Sequence, residues 1–237
     1  MRAHVFVGPT ITVEEAKREF EAVYRPPVAR GDVQRLVREG AAEAIGIIDG
    51  RFHSVRSAWH KEILWAMSRG IHVFGSASIG ALRAAELDRF GMVGVGRVFE
   101  MFRSGKLEDD DEVAVIHLPA EKNHAATSVA MVNIRATLEA ALAAGVIRAN
   151  TAASLVRVAK EMYFPHRTYE NMLAAGRRSG ESQKELQELE EWLVSGRVDQ
   201  KREDARAMLR AMREIAVNDP GPKRVKYWFE HLETMDG

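Results

Sequence analysis

Short apolar runs alternate with amphipathic stretches through the first third of the chain, and helical periodicity takes over beyond residue 123. Residues 4–7 (HVFV), 44–48 (AIGII) and 71–74 (IHVF) are too short for buried helices and read as strands. Between them lie candidate helices. Thr12 followed by Glu15 is a capping-box pattern that predicts a helix over residues 13–20. Arg25-Pro26-Pro27 reads as an extended connection. Asp32 is the expected cap of a helix over 33–38, stopped by Gly40. A further helix is expected over 57–69, closed by Gly70, and another over 79–87. Strand–helix alternation predicts an α/β fold: a small, mostly parallel sheet flanked by helices.

Residues 96–105 read as a helix, the acidic run 108–112 as a solvated turn, and 113–117 as a fourth short strand. From there the spacing predicts amphipathic helices over 125–144, 151–162, 168–177, 182–194 and 200–215. The expected organisation is therefore an α/β core over 1–120 and a helical region over 121–237 packed on it. In parallel sheets, sites gather in loops beyond the strand C-termini. Those loops are 8–10, 49–57 and 75–80.

The totals remove several classes of function. Lysine plus arginine and aspartate plus glutamate both number 34, which gives no electrostatic case for nucleic acid or an anionic membrane. There is no cysteine, so no disulfide, thiolate metal site or persulfide chemistry resides on the chain. No apolar stretch approaches the ~18 residues of a membrane span, and MRAHVFVGPT is too short and polar for a signal peptide. A cytoplasmic protein is expected. No His and carboxylate pair has metal-ligand spacing, and the glycines of 91–96 follow a helix rather than a strand, unlike a dinucleotide loop.

Two residues stand out chemically. Ser78 lies where an apolar strand turns into a helix rich in small residues, the kind of corner at which a hydroxyl meets unpaired backbone N–H groups. In that reading the N–H groups of Ile79 and Gly80 hold an oxyanion. The structural alternative is that Ser76 or Ser78 caps the helix. Lys61 is the candidate base. Trp59, Ile63, Ala66 and Met67 make one apolar stripe, while Ala58, Leu64 and Trp65 flank Lys61 on the other side. That pattern predicts a sandwiched helix with the lysine in an apolar crevice, Ser57 one turn away. The alternative is a surface lysine lying over Trp65. Arg83 and Glu86, three apart, are expected to pair and brace the corner, and His53 and His60 flank the same loop.

Several segments together resemble the TfuA-like family: 5–10 (VFVGPT), 46–50 (GIIDG), 59–64 (WHKEIL), 76–87 (SASIGALRAAEL), 90–96 (FGMVGVG) and 108–115 (EDDDEVAV). The resemblance runs from about Val5 to His117, and the helical remainder carries no matching motif. Ile79 stands where the family often has Met, an apolar exchange that spares the backbone N–H. The resemblance implies an accessory role in peptide-backbone thioamidation beside a YcaO enzyme, the ATP-dependent activator of the backbone amide. It implies hydrolysis of a thiocarboxylated ThiS-like sulfur carrier by a serine and lysine pair, help for the YcaO protein in engaging its peptide or protein substrate, and no cofactor on this chain. The family pattern fixes Lys61. Ser78 is its partner on geometry, with Ser57 and Ser54 as alternatives, and Pro9, Thr10, His53, Ser57, His60, Arg83 and Glu86 are the expected supporting or binding residues. Two rival readings remain: a docking partner of a YcaO protein with no chemistry of its own, and a nucleotide site at the Gly8 or Gly94 loop.

Overall fold

The structure is a computed structural model that describes residues 1–50, 60–122 and 124–228. The chain divides into two compact units that do not follow chain order. Unit 1 is Met1–Glu108, Ala120–His124 and Lys201–Gly237, and unit 2 is Asp109–Pro119 with Ala125–Gln200.

Unit 1 is a five-stranded, wholly parallel sheet with helices on its faces. In chain order its elements are β1 (Ala3–Phe6), α1 (Val13–Glu19), β2 (Val23–Arg25), α2 (Asp32–Arg38), β3 (Ala44–Ile47), α3 (His60–Ser68), β4 (His72–Ser76), α4 (Ile79–Leu87), β5 (Val93–Val95) and α5 (Arg97–Arg103). The strand order is β2-β1-β3-β4-β5. Register pairs Val5 with Gly46, Gly46 with Phe74, and Ser76 with Val95. Strand order reverses between β1 and β3, the switch point beside which ligands bind in such sheets. One face buries Val5, Val7, Ile48 and Phe74 against Met208, Leu209 and Met212, which belong to a C-terminal helix. Each such fully buried side chain contributes about 1.5–3 kcal/mol. Gly46 has no Cβ because Met212 Sδ would lie 2.8 Å from it.

The Thr12/Glu15 capping box forms as the sequence predicts. Three features differ from expectation. The extended segment before Pro26 is a paired edge strand, β2, with Pro26 placed just past it, where no ladder N–H is lost. β5 lies within the glycine-rich stretch 91–96, where the sequence pattern predicts no strand. Asp32 is the first helical residue of α2 behind the cap Gly31, and its carboxylate accepts the Ala29 N–H at 2.8 Å.

Unit 2 holds α6 (Met131–Ala143), α7 (Ala149–Glu161), α8 (Tyr169–Arg178) and α9 (Gln183–Gly196) around Ile134, Leu138, Leu155, Met172, Leu186 and Leu189. Residues 113–117 join no sheet strand. They make an antiparallel bridge between His117 and Ala126, because their apolar side chains are spent inside this unit. The acidic run is solvated over residues 108–110 but not at its end. Glu112 is buried and takes both donors of Arg135 at 2.9 and 2.8 Å. Arg167, fully buried, donates to Asp111 at 2.7 Å, and Lys160 bonds Asp109 and Asp111. Desolvation alone would raise the Asp111 carboxyl, but the bonds from Lys160 and Arg167 outweigh it and hold it below the usual range.

The final helix, α10 (Gln200–Asn218), belongs to the sheet and not to the helical unit. The sheet unit therefore takes up the chain again after residue 200. No helix among the described residues is long and apolar enough to cross a membrane.

Candidate functional site

The C-terminal edge of the sheet gathers the loops that follow β1, β3 and β4. The β4–α4 corner is the most constrained of them. A Cβ on Gly80 would lie 1.8 Å from the Ile47 carbonyl oxygen, and one on Gly75 would lie 2.2 Å from the Gly80 carbonyl oxygen. Only glycine lets α4 sit this close to β3 and β4. The chain then reverses through a γ-turn. The Ser78 N–H donates to the Ser76 carbonyl at 2.7 Å across Ala77, which has φ +64° and is fully buried. A buried alanine in this conformation is strained by roughly 1–3 kcal/mol, and such strain collects at functional sites.

Ser78 occupies the N-cap position of α4 with φ −123° and ψ −127°. Its hydroxyl makes no cap bond to α4. It is 2% exposed. Ser76, two residues earlier, has a buried hydroxyl with no partner among the described residues. Two backbone N–H groups were expected to be open at this corner. That of Gly80 is turned to the Ile48 carbonyl at 3.4 Å, whereas that of Ile79 has no partner among the described residues.

The β1 and β3 loops lock together beside this corner. Asp49 is 1% exposed, and Thr10 donates to both of its oxygens, by N–H at 3.0 Å and by hydroxyl at 2.6 Å. Pro9 lies in the same loop, where Gly8 passes Pro27 so closely that a Cβ would meet Pro27 Cγ at 2.5 Å. The Gly50 backbone faces Ile79, whose Cγ2 would be 2.7 Å from an added Cβ. Asp49 thus ties the loop after β1 to the strand that carries Gly80's acceptor. From the sequence Asp49 is placed only at the start of the loop 49–57. The available signal was an aspartate closing a strand beside the topological switch point. A cavity of about 250 Å³, lined in part by Gly8, Ile11, Thr12, Tyr24 and Pro26, opens beyond β1 and β2.

Helix α3 supplies the other candidates. His60 Nε2 and Arg83 both reach Glu86 Oε2 at 2.6 Å, so His60, Arg83 and Glu86 form one cluster. The expected Arg83–Glu86 brace is present, with His60 added to it. Glu62 is buried and accepts the Gly31 N–H at 2.8 Å and the Gln34 N–H at 3.3 Å, which caps α2 from α3. Its neighbour Lys61 is turned outward by the same helix and is exposed. Of the residues expected to surround Lys61, Ile63, Ala66 and Met67 face the core, Leu64 and Trp65 are half-buried, and Ala58 and Trp59 lie outside the described residues. His53, Ser54, Ser57, Ala58 and Trp59 lie outside the described residues. Among the described residues no group of His, Asp and Glu is arranged to hold a metal.

Chemically, the corner offers a non-capping hydroxyl, an open helix N–H beside it and a buried, fully oriented carboxylate one loop away. No curated protein matches the chain. A family model described as TfuA-like protein matches residues 49–168, a stretch that holds Asp49, Lys61, Ser78 and the His60–Arg83–Glu86 cluster. The match spans half of the chain, and the protein belongs to the TfuA-like family.

Proposed function

We propose that this protein releases sulfide from a thiocarboxylated ThiS-like carrier protein for a partner YcaO enzyme in peptide-backbone thioamidation, with Ser78 as nucleophile and Lys61 as base. The observation that carries this reading is that Ser78 holds the N-cap position without capping, behind a strained γ-turn. In the proposed step the Ser78 oxygen attacks the thiocarboxylate carbon while its proton passes to the Lys61 amine. The carbon–sulfur bond then breaks, sulfur leaves as hydrosulfide with that proton, and water hydrolyses the remaining ester to a carboxylate. The Ile79 N–H supports the oxyanion. The near-complete burial of Ser78 suits a thin, flexible carrier tail rather than a folded surface. Help to the YcaO protein in engaging its peptide is the second part of the role.

Incubation of the full chain with a thiocarboxylated carrier, following sulfide, tests the chemistry. Ser78→Ala and Lys61→Ala should each abolish release, and Ser57→Ala and Ser54→Ala should lose much less. An acyl adduct on Ser57 in quenched samples would move the nucleophile to α3's own approach and sink the assignment to Ser78. The exposure of Lys61 favours one second reading, a non-catalytic docking partner of a YcaO protein. That reading requires the Lys61→Ala variant to release sulfide no differently from the parent while YcaO binding falls.

A further inference from the structure

The segment after α10 is fastened across the far ends of α3 and α4. The Lys223 N–H donates to the Gly70 carbonyl at 2.8 Å, and its side chain lies over Gly91, where an added Cβ would stand 3.1 Å from Lys223 Cε. The Tyr227 hydroxyl donates to the Leu64 carbonyl at 3.0 Å, and the Tyr227 ring meets Phe90 edge-on at 6.1 Å. These contacts bring Arg69, Arg89, Lys223, Arg224 and Lys226 onto one continuous surface of unit 1. None of the five has a carboxylate partner among the described residues, although the chain as a whole balances 34 cations with 34 anions. The carboxylates nearby are Asp88, which accepts the Arg89 N–H at 2.6 Å, and Glu43 and Asp219, which line a cavity with Arg69.

Aromatic side chains share the surface. Arg69 lies over the Trp65 ring at 5.7 Å and Arg89 over Phe90 at 5.6 Å. Phe90 is 41% exposed and Trp228 is 80% exposed. A guanidinium beside a ring keeps N–H groups for bidentate capture of a carboxylate. The same two arginines compete with a base for the faces of Trp65 and Phe90, which works against base stacking and hence against single-stranded nucleic acid. The surface lies where α3 and α4 end, at the N-terminal edge of the strands, and Ser78 lies at the C-terminal edge.

We propose that this face docks an extended acidic peptide segment of a protein partner, with Trp228 as its apolar anchor. The inference does not rest on the hydrolytic reading. It is tested with the full chain and a fluorescent synthetic peptide in which Asp and Glu alternate with Gly around a central Leu. The same peptide with Asn and Gln, and an oligothymidylate of equal charge, serve as comparisons. The acidic peptide should bind, lose affinity as salt rises, and shift the Trp228 emission in a way that Trp228→Phe removes. The exposed-site variant Arg69→Glu/Arg89→Glu/Arg224→Glu/Lys226→Glu should weaken it by about tenfold or more. If that variant does not fold, Arg224→Gln/Lys226→Gln should still weaken the peptide and reduce the salt dependence. Equal binding of the amide peptide, unchanged binding by the charge variants, or tighter binding of the oligonucleotide would overturn the proposal.

Discussion

Replacing Gly80 with alanine tests how closely α4 is seated on the sheet. By helix propensity alone the change should stabilise α4 by about 1 kcal/mol. The contact decides otherwise. The new Cβ would stand 1.8 Å from the Ile47 carbonyl oxygen and 2.6 Å from its carbon, against a floor of 3.0 Å for real contacts. At least 1.2 Å must be recovered, and both obstructing atoms are backbone in the middle of the sheet, so α4 must back away as a unit. Overpacking of this kind costs about 1–3 kcal/mol, occasionally more, so Gly80→Ala should lose about 2 kcal/mol net. Gly176→Ala in α8 is the comparison, because its nearest obstacle is the Leu155 Cδ2 methyl at 2.7 Å, the end of a side chain that can rotate. It should stay within about 1 kcal/mol of the parent. A chain of two compact units need not unfold in one transition, so hydrogen exchange followed by peptide mass is the suitable assay. Protection across β3, β4 and α4 should fall in Gly80→Ala. Unchanged or increased protection there would refute the close seating of α4, and with it the geometry of the Ser78 corner.

Thr10→Val removes the hydroxyl bond to buried Asp49 and should cost about 1–3 kcal/mol, read as an earlier melt; no loss would mean the pair does not hold the loops together. Glu62→Ala leaves two α2 N–H groups unpaired and should cost about 1–2 kcal/mol, and exchange confined to α2 and α3 would show it. Burial, followed by the nearby Arg25 charge, pushes the His4 imidazole below its ordinary 6.5, while its ring accepts from Arg25 Nε at 2.9 Å. A lowered folded value means that the stability contributed by neutral His4 is full above about 6.5 and is lost as pH falls through the folded value. The parent should therefore lose more stability on mild acidification than His4→Gln, and parallel losses in the two proteins would exclude His4 as a source.

Elements with strong local signals were legible in the sequence, and elements defined by distant partners were not. The Thr12/Glu15 box, β1, β3, β4 and α4 follow from residues within one turn or strand of each other. β2 and β5 are three-residue strands whose existence depends on pairing with β1 and β4, and neither has an apolar run of its own. Residues 113–117 have such a run but satisfy it in the other unit. The Ser78 corner was readable because small residues and a serine sit together in sequence. Asp49 was not, since its role depends on Thr10, 39 positions earlier. Helical spacing shows apolar residues on two sides of α3: Ile63, Ala66 and Met67 are buried, and Leu64 and Trp65 on the side of Lys61 are half-buried.

The return of α10 to the sheet also bears on how the protein is made. Strands β1 to β5 leave the ribosome before any of unit 2, and the helix that covers Val5, Ile48 and Phe74 follows only after unit 2 is complete. Until then that face of the parallel sheet has only Ile11, Ala16 and Phe20, in and beside α1, to bury against. The nascent chain must either delay pairing its strands or hold an apolar surface open for the whole synthesis of the intervening helices, a period in which chaperones would find it. The family-matched segment 49–168 lacks both β1 and α10, and expressed alone it would remain permanently in that unfinished state.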